Sequence, residues 1–116
     1  MEEHLFRYRW TAASDGAAVF AMPGDYVESG WHWRVVKCVV ENETSNYTRL
    51  RVGVWSGAVF YPHDEIENPQ AANIYFTEQD IHLSEGERLL FLLTGTFADD
   101  VVRAYVEVMQ SREDRP

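Results

Sequence analysis

Two stretches of this sequence decide its fold class. Residues 31–40 read Trp-His-Trp-Arg-Val-Val-Lys-Cys-Val-Val, and residues 101–109 read Val-Val-Arg-Ala-Tyr-Val-Glu-Val-Met. Both are rich in β-branched and aromatic residues, and in both the side chains alternate with a period of two. That period is typical of half-buried β-strands, so we expect these two stretches to form the centre of a β-sandwich.

The alternation of the first stretch predicts which side chains face the core. Counting in steps of two places Val36, Cys38 and Val40 on one face, which we assign to the core. The opposite face then carries Trp31, Trp33, Val35 and Val39. An apolar outer face of this kind usually meets another protein. A covering loop or a second core is the alternative explanation.

The segments around these two stretches predict further short strands. We expect them at 5–10, 17–22, 49–55, 58–61, 73–76, 81–83 and 88–94. Turn sequences such as Ser14-Asp15-Gly16 and Pro23-Gly24 separate them. Seven to nine short strands at this spacing predict an all-β fold, an antiparallel β-sandwich of the jelly-roll type. One domain spanning 1–116 is expected, with 111–116 as a frayed tail.

The segment 84–94 fits two kinds of secondary structure. Ser84 and Glu87 have the spacing of a capping box in front of a leucine-rich run, which favours a helix. Gly86 would then lie in the first turn, and the flanking segments have strand patterns. We therefore predict a strand and keep the helix as the alternative.

The segment 62–72 is predicted to be the longest irregular stretch and an exposed acidic loop. It contains His63, Asp64, Glu65 and Glu67. Loops rich in carboxylate oxygens bind calcium, but the spacing of a dedicated calcium loop is absent. A solvated loop is the prediction, and a cation site is the alternative.

Charge and cysteine content exclude several classes of protein. The formal net charge is −9, which is the wrong sign for neutralising phosphates, so neither nucleic acid nor an anionic membrane is an expected partner. The single cysteine, Cys38, lies inside an apolar strand and is predicted to be a small buried hydrophobe. The acidic start of the chain predicts no signal peptide, and the lack of disulfides fits assembly in the cytoplasm.

The sequence contains no catalytic or cofactor-binding signature. The histidines at 4, 32, 63 and 82 lack the short spacings that place two imidazoles on one metal. No Gly-x-Ser-x-Gly elbow and no phosphate-binding glycine loop is present. Asp99 and Asp100 are adjacent acids at an expected turn. We therefore predict no enzyme, no catalytic residue, no metal and no cofactor, with a small hydrolase or metal enzyme as the weaker hypothesis.

Five short patterns between Val19 and Gln110 carry a family resemblance. They are a proline-glycine step at 21–24, a long strand running into an asparagine-threonine turn at 36–44, an alternating strand with a glycine turn at 52–57, a leucine-x-x-glycine-acid step at 83–87 and an acid-valine strand at 100–108. In this order they resemble small virion proteins of tailed bacteriophages, of the head decoration, cement or tail-associated type. The resemblance implies a β-sandwich that acts as an oligomer within the virion.

The leading hypothesis is therefore a non-enzymatic structural protein of a phage-like virion. It would bind copies of itself, in a closed trimer or a similar ring, and other virion proteins through protein–protein contacts. Aromatic and arginine side chains usually anchor such contacts, so the expected partner-binding residues are Trp31, Trp33, Trp55, Arg49 and Arg51. The alternative is a carbohydrate- or receptor-binding module that uses the same tryptophans, with Asp64, Glu65 or Asn68 supplying hydrogen bonds.

Overall fold

The computed structural model describes residues 2–76 and 80–112. These residues contain nine β-strands: β1 (Glu3–Ala13), β2 (Val19–Pro23), β3 (Trp31–Asn42), β4 (Arg49–Ser56), β5 (Val59–Glu67), β6 (Tyr75–Phe76), β7 (Ile81–Leu83), β8 (Arg88–Thr94) and β9 (Val101–Arg112). The described residues include no helix that could span a membrane. The predicted all-β fold is confirmed.

The strands form two antiparallel sheets that pack face to face. The five-stranded sheet has the order β1-β9-β3, and both β6 and β7 pair with β3 at its edge. The four-stranded sheet has the order β2-β8-β4-β5. Successive strands such as β1 and β2 lie in opposite sheets, which is the arrangement of a jelly roll. The predicted antiparallel, jelly-roll-like sandwich is therefore also confirmed.

A β-bulge in β3 changes which of its side chains face the core. Val35 pairs with Val108 and Lys37 with Glu107, so Val36 is an extra residue without a partner. One extra residue shifts the alternation of the strand. Trp33 and Val35 therefore lie on the inner face together with Cys38, while Val36 is 38% exposed. The prediction that Val36 faces the core and that Trp33 and Val35 face outward is wrong for this reason.

The predicted aromatic outer face is not formed. Trp33 is only 4% exposed and belongs to the hydrophobic core, against which the half-buried Trp31 packs. The outward positions of β3 carry His32, Arg34, Lys37 and Glu41, together with Val36 and Val39. Of the predicted outer face, Val39 therefore faces outward as predicted, whereas Trp33 and Val35 do not. The surface on which assembly with other subunits was predicted to depend is thus absent from this strand.

The predicted acidic loop is largely an edge strand. β5 continues to Glu67 and pairs with β4 along its whole length. Its register shifts between Val52 and Gly53, which leaves His63 as the extra residue of a second bulge. A Cβ on Gly53 would lie 2.1 Å from the carbonyl oxygen of Tyr61, so only glycine fits at this bulge. The loop prediction was wrong here because bulges at an edge accommodate proline and polar residues.

The segment 84–94 is a strand preceded by a turn, as predicted. The capping-box pair is present but closes that turn, because the backbone N–H of Ser84 donates to the Glu87 carboxylate at 2.7 Å. Gly86 has a φ of 79°, which lies in the left-handed region and is incompatible with a helical first turn. β8 then follows as a central strand of the four-stranded sheet.

The C-terminal strand is longer than predicted. β9 runs to Arg112, and Ser111 pairs with Glu3 and is only 4% exposed. The prediction of a frayed tail is therefore wrong for residues 111 and 112. The rest of that tail, 113–116, lies outside the described residues.

Cys38 is buried in the core as predicted. Its side chain lies on the inner face of β3, and burial, with a smaller effect of the Asp64 charge, raises the pKa of the thiol to about 12. A thiol with so high a pKa stays protonated at neutral pH and acts as a small apolar group.

A buried carboxylate holds the loops at one end of the sandwich. Asp100 accepts hydrogen bonds from the Asn42 amide at 3.1 Å, the Phe97 backbone N–H at 2.9 Å and the Ser45 hydroxyl at 2.9 Å. Burial by itself raises the pKa of this carboxyl, but the three hydrogen bonds to the ionised form outweigh it, so the pKa is lowered.

We expect Trp33→Ala to destabilise the monomer. Removing a buried tryptophan leaves a cavity and should lower the free energy of unfolding by about 3–5 kcal/mol. The measurement is urea denaturation followed by circular dichroism. Phe97→Ala is the control because Phe97 is 65% exposed. An unchanged midpoint for Trp33→Ala would contradict the inward orientation of this side chain.

We expect Asp100 to make stability depend on pH in the acid range. Because its pKa is lowered on folding, its contribution is complete above the unfolded pKa of about 3.9 and is lost as the pH falls through the folded pKa. Asp100→Asn should lower the free energy of unfolding at pH 7 by about 1–3 kcal/mol. It should also reduce the further loss of stability as the pH falls from 7 to 2. Urea midpoints between pH 7 and pH 2 measure this. Asp99→Asn, at the exposed neighbouring position, should leave the stability at pH 7 and its pH dependence unchanged.

Candidate functional site

A cleft opens between β1 and the segment that joins β2 to β3. Its volume is about 370 Å³. Aromatic side chains and three polar ones line it: Phe6, Tyr8, Tyr26, Trp31, Trp33, Asp25, Glu28 and Gln110. We call this site the aromatic cleft.

The floor of the aromatic cleft is a column of stacked rings. Tyr8 lies between Trp33, at 5.0 Å between ring centroids, and Trp10, at 5.7 Å. The interplanar angles are 18° and 13°, so the three rings are nearly parallel. Trp10 in turn contacts Phe91 of the core at 6.2 Å. Because the column is anchored in the core, the floor is rigid.

The walls of the aromatic cleft are exposed rings. Phe6 on β1 is 42% exposed, and Tyr26 on the opposite segment is 52% exposed. The Arg88 guanidinium lies 3.9 Å from the centroid of the Tyr26 ring, in cation–π geometry. The same guanidinium donates to the carbonyl oxygen of Gly24 at 2.8 Å. Arg88 therefore fixes the position of the Tyr26 wall.

The segment that carries Tyr26 is held against the sandwich by its backbone. Gly24 N–H donates to the carbonyl oxygen of Leu89, and Val27 N–H donates to that of Glu87, both at 2.9 Å. A Cβ on Gly24 would lie 2.8 Å from the Trp10 ring, so glycine allows the close approach. The aromatic cleft is thus built on anchored backbone.

Hydrogen-bonding groups surround the rings. Asp25 and Glu28 are exposed, and within residues 2–76 and 80–112 no hydrogen bond or ion pair engages either carboxylate. Deeper in the cleft, the Gln110 amide donates to the Tyr8 hydroxyl at 2.6 Å, which fixes both groups. The site can therefore pack a flat apolar face and accept hydrogen bonds from hydroxyl groups at its rim.

The predicted partner-binding residues lie in two separate places. Trp31 and Trp33 line the aromatic cleft. Trp55, Arg49 and Arg51 lie on β4 in the other sheet, so the structure does not bring all five together. Arg51 and Arg49 are 2.5 Å and 3.8 Å from the same Glu65 carboxylate. Virion assembly stays a prediction from the sequence resemblance.

The polar residues predicted to accompany the tryptophans are also elsewhere. Asp64 and Glu65 lie on β5, and Asn68 follows that strand. The hydrogen bond from Arg51, followed by the charges of Arg51 and Arg49, lowers the pKa of Glu65 despite some desolvation. Glu65 is therefore engaged in ion pairs on the four-stranded sheet, away from the aromatic cleft.

Sequence reasoning missed most of the aromatic cleft. The alternation of β1 indicates that Phe6 and Tyr8 share a face with Trp10, which the structure confirms. Nothing in the sequence indicates that this face meets Asp25, Tyr26 and Glu28, because that contact crosses between distant parts of the chain.

The candidate cation site is not formed by the described residues. His63, Asp64 and Glu65 are successive residues of β5, and His63 is the extra residue of its bulge. Within the described ranges, no group of three or more potential ligands is placed to hold a metal ion. The structure does bring His32 and His82 together across β3 and β7, with 3.1 Å between Nε2 and Nδ1.

Comparisons with known proteins give a likeness in fold. No protein-family model and no curated protein matches the chain. Among solved structures, the C-terminal CBM6 of LamC from Zobellia galactanivorans has a TM-score of 0.41 and 11% identity, covering 91% of this chain and 99% of its own. The N-terminal cellulose-binding domain of Cellulomonas fimi β-1,4-glucanase C has a TM-score of 0.36 and 13% identity, covering 93% and 79%.

A CBM4 structure has a TM-score of 0.35 and 13% identity, covering 90% of this chain and 82% of its own. These likenesses concern the arrangement of strands in a β-sandwich. What this chain binds has to be inferred from its own residues.

Proposed function

We propose that this chain is a carbohydrate-binding domain and that a neutral sugar occupies the aromatic cleft. The observation that supports this most strongly is the pairing of exposed rings with exposed carboxylates in one concavity. Phe6 and Tyr26 supply the rings, and Asp25 and Glu28 supply the carboxylates.

The chemistry of a pyranose matches these groups. Its axial C–H bonds form an apolar face that packs on an aromatic ring, and its hydroxyls form a polar edge. Carboxylates accept hydrogen bonds from hydroxyls and hold them more strongly than neutral acceptors do. A few convergent polar groups on an apolar lining are the usual composition of a small-molecule site.

The size of the cleft sets the size of the ligand. A volume of about 370 Å³ lies near the lower end of the range for ligand sites, about 300–1,000 Å³. We therefore propose that the aromatic cleft takes a short oligosaccharide or the end of a longer chain.

The charge of the cleft favours neutral sugars over acidic ones. Asp25 and Glu28 are the charged groups of its lining, and the whole chain has a net charge of −9. An anionic sugar would be repelled by both carboxylates at short range. The proposal includes no catalytic step, because both carboxyls are exposed and neither has the buried environment that sets a catalytic acid apart.

We expect Phe6→Ala and Tyr26→Ala each to weaken sugar binding by about tenfold, the loss that corresponds to one stacking contact. A glycan array of neutral oligosaccharides identifies the ligand, and isothermal titration calorimetry with that ligand gives the affinities. Asp25→Asn and Glu28→Gln should weaken binding as well, because they remove charged acceptors.

Tyr61→Ala is the matched control for Tyr26→Ala. Tyr61 is 53% exposed, nearly the same as Tyr26, but lies on β5 of the other sheet. The Tyr61→Ala variant should bind the sugar as tightly as the unmodified chain does. Absence of any neutral glycan hit, or equal losses for Tyr61→Ala and Tyr26→Ala, would overturn the proposal.

A further inference from the structure

The outer face of the five-stranded sheet carries a second concavity. It has a volume of about 590 Å³ and is lined by outward side chains of β1, β9 and β3, with Ile74 at its side. We call it the outer groove. It shares no lining residue with the aromatic cleft.

We propose that the outer groove is a second binding site, which takes an acidic saccharide with its carboxylate between Arg9 and Lys37. The inference does not depend on the aromatic cleft, because it rests on different residues and on the opposite ligand charge.

Two cations flank one aromatic ring in the outer groove. Tyr105 on β9 pairs with Arg9 on β1 and with Val39 on β3. The Arg9 guanidinium carbon lies 5.2 Å from the centroid of the Tyr105 ring, and the Lys37 ammonium nitrogen lies 5.8 Å from it. A carboxylate bound beside the ring, between the two cations, would be attracted by both positive charges.

The orientation of the Tyr105 ring is fixed through its hydroxyl group. The Tyr105 hydroxyl donates to the Glu107 carboxylate at 2.6 Å, and Arg7 donates to the same carboxylate at 3.3 Å. The hydrogen bond from Tyr105, together with Arg7 and the charge of Lys37, lowers the pKa of Glu107 despite desolvation. Glu107 therefore stays ionised and holds Tyr105 in place.

Arg9 and Lys37 differ from the other cations of this face. Arg7 is paired with Glu107, and Arg103 is paired with Glu43 and with Glu41. Across the portion of the chain that the structure describes, the ion pairs include neither Arg9 nor Lys37. Lys37 lies opposite Glu107 on β9, but the Glu107 carboxylate already accepts from Tyr105 and Arg7. In a chain with 19 acids and 10 bases, two neighbouring cations outside these ion pairs form a local site for an anion.

The remaining lining fits a sugar ring that carries the carboxylate. Val39 and the 59% exposed Ile74 supply apolar surface beside Tyr105. Thr11 and Glu41 supply a hydroxyl and a carboxylate that can bond to sugar hydroxyls. A uronate combines a C–H face, hydroxyls and a carboxylate in one residue, which is why we assign the groove to an acidic saccharide.

Calorimetry with tetragalacturonate and with its fully methyl-esterified form tests this assignment on the full chain. The two probes share the sugar backbone and differ in charge. We expect tetragalacturonate to bind and the ester to bind at least about tenfold more weakly, since each charge-assisted hydrogen bond contributes about that factor. Raising the salt concentration from 50 to 500 mM should weaken the acidic probe only.

Arg9→Gln and Lys37→Gln should each weaken tetragalacturonate binding by about tenfold, and the double variant by more. Both side chains are exposed, so these variants should keep the thermal midpoint of the unmodified chain. Arg51→Gln is the control, because that arginine is paired with Glu65 on the other sheet. Phe6→Ala should leave tetragalacturonate binding unchanged, which separates this site from the aromatic cleft.

Three results would overturn the inference: no binding of tetragalacturonate at millimolar concentration, equal binding of the ester, or unchanged affinity in the double variant. Calorimetry with an oligoglutamate of the same charge provides a further test. If it binds as tightly as tetragalacturonate, the groove recognises an acidic peptide and the saccharide assignment is wrong.

Discussion

The extra residue at Val36 is the constraint on which the rest of this structure depends. Without it, a strict alternation through β3 would place either Trp33 and Val35, or Cys38 and Val40, on the outer face of the sheet. The bulge allows both pairs to face the core, where all four are almost completely buried. Since β3 pairs with β9, β6 and β7, its two faces determine the inner and outer surfaces of the whole five-stranded sheet.

The inward orientation of Trp33 also creates the aromatic cleft. Its ring stacks on Tyr8, which stacks on Trp10, and this column reaches Phe91 in the core of the opposite sheet. The segment with Tyr26 then lies against the end of the column and leaves an opening lined by rings. A cleft formed in this way is rigid because each wall is tied to buried side chains or to backbone hydrogen bonds.

The same bulge brings Lys37 to the outer face beside Tyr105. The protein therefore presents two concave surfaces of opposite character. The exposed carboxylates of Asp25 and Glu28 accompany the rings of the aromatic cleft, whereas the cations of Arg9 and Lys37 accompany the single ring of the outer groove. A net charge of −9 gives no indication of this division, because it averages over surfaces that face in different directions.

The sequence by itself determined the all-β sandwich, the buried thiol of Cys38 and the strand at 88–94, because strand periodicity and turn residues are local properties. The local pattern predicted a loop at 62–72, of which 62–67 is strand, and placed Trp33 on the outer face of β3, since a bulge interrupts the alternation without any local signal. Only the tertiary structure decided which faces are inner and which residues share a site. Phe6 and Tyr26, or Arg9 and Tyr105, are far apart along the chain and meet through sheet pairing and packing, which depend on the whole sequence at once.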